Sequence, residues 1–131
     1  MKQPWTGIGA LFALAAVVFG AFGAHSLTGR IAPEHVEVFK TGAYYQMVHA
    51  LALVLIGYRI EQRPAALPLT VAAWLLAAGI VLFSGSLYVL SLTWVGAWGL
   101  VTPIGGVAFI AGWAAFAIAE IGGGRASGQS R

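Results

Sequence analysis

Four apolar stretches, each about as long as a bilayer-crossing helix, constrain this chain more than any other feature. They run from about Trp5 to Ala24, Thr41 to Tyr58, Leu67 to Leu90 and Pro103 to Ile121. A helix needs about 20 apolar residues to cross hydrocarbon, and none of the four alternates as a barrel strand does. Composition agrees that lipid is the solvent. The 131 residues are 60% hydrophobic and 8% charged, against roughly 25% charged in a soluble domain. The expected fold is therefore an all-α membrane protein, a four-transmembrane-helix bundle forming one domain over residues 1–122.

Helix punctuation fits these bounds. Thr102-Pro103 sets a capping hydroxyl before a proline at a first helical position. Pro33 can open the second helix earlier, through "EHVEVFK", and Pro64 and Pro68 break the chain before the third. The stretch "GGGRASGQSR" predicts a flexible tail over residues 123–131. With four spans, both termini and the middle loop share one side, which holds Lys2, Arg59, Arg63, Arg125 and Arg131; the other side holds Arg30 and Lys40. Positive charge is retained on the cytoplasmic side, so both termini are expected there. The basic residues are scattered, which argues against a nucleic-acid partner. Without cysteine there is no disulfide, thiol nucleophile or thiolate metal site.

The stretch "GAFGAHSLTGR", Gly20 to Arg30, admits two fates for the first segment. Ala21-Phe22-Gly23 passes as a signal-peptidase site, but Lys2 is the only basic residue before the apolar run. The segment also carries a stripe of small residues, Gly9, Ala13, Ala16, Gly20 and Gly23, at spacings of 4, 3, 4 and 3. Gly105, Ala108, Gly112, Ala115 and Ala119 repeat it in the fourth segment at 3, 4, 3 and 4. Such stripes let membrane helices approach closely, which a discarded peptide does not need. The plainer alternative is that Gly and Ala are simply common in this chain.

"FGAHSL", "FKTGAYYQMVHALALVLIG", "SGSLYVL" and "TPIGGVAFIAGW", in that order, resemble the four signatures of the domain-of-unknown-function 423 family. These are small multi-pass proteins of the bacterial inner membrane, with relatives among eukaryotic transmembrane proteins. The resemblance covers roughly Gly7 to Ala119. It implies four retained helices, with "GAFGAH" part of the mature protein, and it implies no particular activity. Ser26 stands where the family has glycine, and Trp94 where a small residue is usual.

The polar residues inside the helices are the remaining clues. Tyr45, Gln46 and His49 share one helical face, and the third segment offers Ser84, Ser86 and Tyr88. Counted at about 1.5 Å per residue, these groups are expected in the outer half of the membrane, with His25 at the surface above them. One reading is a polar site for a small ligand, a lipid or a proton, since polar groups in a membrane are costly and often functional. The other is interhelical glue, at roughly 0.6 kcal/mol per bond. For a metal, His35 and His49 lie about 21 Å apart on one helix, and His25 with Glu34 or His35 is a poor ligand set. "SGSLY" is not a hydrolase elbow. Carriers usually hold a carboxylate at depth, whereas Glu34, Glu37, Glu61 and Glu120 fall in loops or at helix ends. The expectation is a non-enzymatic membrane protein without cofactor or metal, associating with itself or with a larger membrane complex.

Overall fold

The computed structural model describes residues 4–128, with side chains as far as residue 123. Helix α1 spans Trp5–Phe22 and runs on into a π-helical turn, Gly23–Leu27. Helix α2 spans Pro33–Gln62 and α3 spans Leu67–Gly79; a second π-helical turn, Ile80–Ser84, joins α3 to α4, Gly85–Thr93. Helix α5 spans Trp98–Gly128. No strand occurs among the described residues beyond an isolated bridge between Thr28 and Ile31. The turn into α2 is tight: Arg30 N donates to the Leu27 carbonyl at 2.9 Å, and Gly29 takes a φ of 85°, where a Cβ would be strained.

Proline behaves differently at its two predicted helix starts. Pro33 does open α2, because a first-turn residue has no intrahelical use for its N–H. Pro103, expected to open the last helix, instead lies inside α5, which begins five residues earlier at Trp98. Thr102 is correspondingly no cap: its hydroxyl folds back onto the Trp98 carbonyl at 3.4 Å. A small residue, Gly99, sits four before Pro103, where the proline ring crowds the carbonyl. The helical bounds of α5 also reach Gly128, into the stretch read from sequence as a flexible tail; residues 129–131 lie outside the described residues.

Helix α2 is the axis of the bundle. Helix α1 packs along one flank of it, α3 and α4 along another, and α5 rests mainly against α3 and the second π turn. The core is built where they meet: Leu53, Ile56 and Ile60 of α2 pack with Leu69, Ala72, Ala73 and Leu76 of α3, all essentially inaccessible. Glycines set the close approaches. A Cβ on Gly9 would stand 2.7 Å from Val54 N and 2.9 Å from the Ala50 carbonyl, so α1 and α2 touch backbone to backbone. Gly57 receives the Trp5–Thr6 backbone, Gly105 the Phe83 backbone, and Gly112 the Leu76 side chain. Gly20, placed by sequence in the same stripe as Gly9, faces open space within 4 Å.

Three helical stretches are long and apolar enough to cross a membrane: Trp5–Leu27, Leu67–Thr93 and Trp98–Gly123. The sequence led to four. Helix α2 has the length, 30 residues, but its middle carries Tyr44, Tyr45, Gln46 and His49, which lower its apolar character. It is also the most enclosed helix, with twelve residues buried against the others.

Candidate functional site

The pairing of α1 with α2 fixes depth. Trp5 and Thr6 lie against Gly57, and Gly23 lies against Phe39, so Phe39–Gly57 is the length α2 shares with α1. At about 1.5 Å per residue, His49 falls at the middle of that length and Gln46 slightly toward the Phe39 end.

Gln46 joins three helices. Its amide Nε2 donates to the Phe12 carbonyl of α1 at 2.8 Å, and its Oε1 accepts from the Tyr88 hydroxyl of α4 at 2.6 Å. It is 3% exposed, so both halves of the amide are satisfied inside the bundle, as a buried amide requires. Gly42 makes the bridge possible, because a Cβ there would meet the Tyr88 ring. Tyr88 is held further by Phe19, at 4.9 Å between ring centroids, and by Phe39, at 4.8 Å.

His49 shares a helical face with Gln46 but has other partners. Its Nδ1 lies 2.7 Å from the Tyr45 carbonyl one turn back. Phe109 of α5 stacks on the ring at 3.6 Å and 11°, and Trp113 meets it edge-on at 5.9 Å. Tyr45 and Phe83 complete an aromatic cluster with Phe109. Gln46, His49 and Ser84 make no hydrogen bond to one another. Gln46 faces α1 and α4, and His49 faces α5.

The serines differ in the same way. Ser86 Oγ donates to the Phe83 carbonyl at 2.9 Å and lies 2.6 Å from Thr102 Oγ1, tying α4 to α5. Ser84 is fully buried and its hydroxyl has no partner among the described residues. It occupies the end of the second π turn, beside Gly42. Among the described residues neither serine hydrogen-bonds a histidine or a carboxylate, the partners that activate a serine nucleophile. His25 lies exposed on the first π turn, away from the Gln46 bridge. No three metal-binding side chains gather among the described residues.

Two polar contacts went unread in the sequence. At the end of the bundle where α1 begins, Glu120 of α5 takes a two-pronged bond from Arg59 of α2, at 3.0 Å from Nε and 2.8 Å from Nη2. Arg59 also bonds Gln62, and Arg63 adds a contact to Glu120 at 3.7 Å and a bond to the Ala119 carbonyl at 3.1 Å. At the opposite end His35 stacks on Trp94 at 3.6 Å, and Trp94 ends α4 in the left-handed region at φ 53°. The arginine–glutamate contact was foreseeable from topology, because an up-and-down bundle brings the end of α2 beside the end of α5. The stack was not, since nothing local around either residue points to the other.

Comparison with known proteins places the chain. The model of a family described as "Protein of unknown function (DUF423)" matches residues 19–106. The chain belongs to this family. Relatives of this DUF423 protein include the UPF0382 membrane protein YwdK of Bacillus subtilis strain 168. The two are 46% identical over 114 residues, covering 87% of this chain and 93% of the relative. The UPF0382 membrane protein SAB0533 of Staphylococcus aureus strain bovine RF122 is 47% identical over 112 residues, covering 86% and 90%. No solved structure matches. The DUF423 region takes in Gln46, Tyr88 and the Ser86–Thr102 contact; Phe12, whose carbonyl accepts from Gln46, lies before it, and Phe109 and Trp113, which cover His49, lie beyond it.

Proposed function

We propose that this DUF423 protein is a non-enzymatic, multi-pass protein of the bacterial inner membrane that acts by association, with further copies of itself or with a larger membrane complex. It crosses the bilayer four times as one domain, with both termini in the cytoplasm. The observation that carries this reading is the use made of the polar side chains at depth. Gln46 is consumed in joining α1, α2 and α4, and Ser86 in joining α4 to α5. With Gln46 and Ser86 committed to the bundle's own helices, the lipid-facing surface is what is left for partners. Helix α2, at about 45 Å, spans easily, and Gln46 and His49 in its middle are tolerable because neighbouring helices cover them. The excess of Lys and Arg beside the termini favours the cytoplasmic side.

Two measurements test this. A reporter fused after Arg131 should be active only if it works in the cytoplasm; periplasmic activity overturns the four-span topology. Native mass spectrometry of gently extracted protein should show two or more copies, or a stoichiometric foreign subunit. A lone chain at every loading, with no subunit bound, overturns association.

A further inference from the structure

His49 holds a hydrogen-bonding group that the bundle does not use. The 2.7 Å contact to the Tyr45 carbonyl assigns the proton to Nδ1, because a carbonyl oxygen only accepts. In the neutral ring the second nitrogen, Nε2, is then a bare acceptor. It has no partner among the described residues, and it keeps a small opening although His49 as a whole is only 5% exposed, since Ser84 Oγ is the one polar side-chain atom among the described residues both enclosed and unpaired. The ring cannot turn to hide it: the Nδ1 bond and the Phe109 stack at 3.6 Å hold the imidazole in place. Hydrocarbon offers no donor at this depth, and an unmatched acceptor there is costly.

From these contacts we infer that His49 is a binding site, in the α2–α5 seam at mid-membrane, for a lipid-dissolved aromatic alcohol: a phenol or hydroquinone head carrying an apolar tail. The hydroxyl donates to Nε2. The aromatic ring of the ligand packs at the rim formed by Tyr45 and Trp113, which are 38% and 41% exposed; both belong to the aromatic cluster around His49. Offset and edge-on aromatic contacts favour a ring there over a plain alkyl chain. The tail lies in the bilayer along the exposed Ile110 and Val48. The inference is independent of whether the protein self-associates and needs only the membrane setting.

A matched pair of probes tests it: para-octylphenol and its methyl ether, which keeps the shape and loses the donor. Both are titrated into the full chain in phosphatidylcholine nanodiscs, with partitioning into empty discs subtracted. The phenol should bind up to about tenfold more tightly, the difference one hydrogen bond makes. It should also shift the nitrogen NMR signal of His49 Nε2, which the ether leaves in place. His49→Phe keeps a ring to stack on Phe109 and removes the acceptor, so the preference for the phenol should vanish. Equal binding of the two probes, or a phenol preference that survives in His49→Phe, overturns the proposal. If His49→Phe does not fold, the Nε2 signal of the parent decides alone: no shift with the phenol overturns it.

Discussion

Gln46 and Trp94 show how single side chains hold this bundle. Removing one partner of a buried pair leaves the other stranded, at roughly 1–3 kcal/mol, while removing both is milder. Gln46→Leu removes two bonds and strands the Tyr88 hydroxyl, so it should cost more than Tyr88→Phe, which removes one bond and strands the Gln46 Oε1. The second substitution should recover part of the loss when added to the first, and unfolding of the purified single and double variants measures the coupling. Additive losses would show that the 2.6 Å contact contributes nothing. Trp94 presents a different balance. A left-handed residue with a Cβ costs about 1–2 kcal/mol, and stacking on His35 returns about 0.5–1.5 kcal/mol. Trp94→Gly loses both and should be close to neutral. Trp94→Ala keeps the strain, loses the stack, and should be the less stable of the two by about 1 kcal/mol in the same unfolding assay. The sequence could flag position 94 as unusual, but only the backbone angle and the distant His35 give the reason.

At the scale of elements, the apolar runs were legible because hydrocarbon allows few solutions to a 20-residue apolar stretch. Their ends were less so. Pro103 looked like a helix start, yet Trp98 to Thr102 add more than a turn before it, and a proline five residues into a helix is outwardly the same letter as one at its opening. The two π turns left no mark in the periodicity; each inserts an extra residue per turn, and the second brings Phe83 and Ser84 to the α2–α5 seam. The small-residue stripe was readable as a pattern but not position by position. Gly9 meets backbone, as does Gly57 of α2 outside the stripe, whereas Gly20 meets nothing within 4 Å. Gly9→Ala and Gly57→Ala should therefore each lower stability by about 1–3 kcal/mol, the range for overpacking. Gly20→Ala should be neutral or stabilising by up to about 1 kcal/mol through helix propensity. Thermal aggregation midpoints of the three variants in one detergent check this, and a loss at Gly20 matching that at Gly9 would mean the stripe packs against something outside the single chain.

For the whole molecule, the question is what closes the bundle between α2 and α5, whose helices barely pack directly. His49 on Phe109 does so at mid-depth, and Glu120 with Arg59 and Arg63 does so at the end where α1 begins. The partners stand 61 and 57 residues apart in the chain, so no local pattern reveals them. The carboxylate lies between two guanidiniums about one-third exposed. In that setting attraction is screened by salt, with a Debye length near 10 Å at 0.1 M and about 3 Å at 1 M. Glu120→Gln keeps the shape and part of the hydrogen bonding, so it should lower the melting temperature modestly. Glu120→Lys sets a third positive charge beside Arg59 and Arg63 and should lower it further. The gap between these two variants should narrow as salt is raised from 0.1 M to 1 M, because like-charge repulsion is what separates them. Melting curves of both proteins at the two salt concentrations read this directly. A gap that stays constant would show that the Lys side chain disrupts packing and that the charge of Glu120 does not close the bundle.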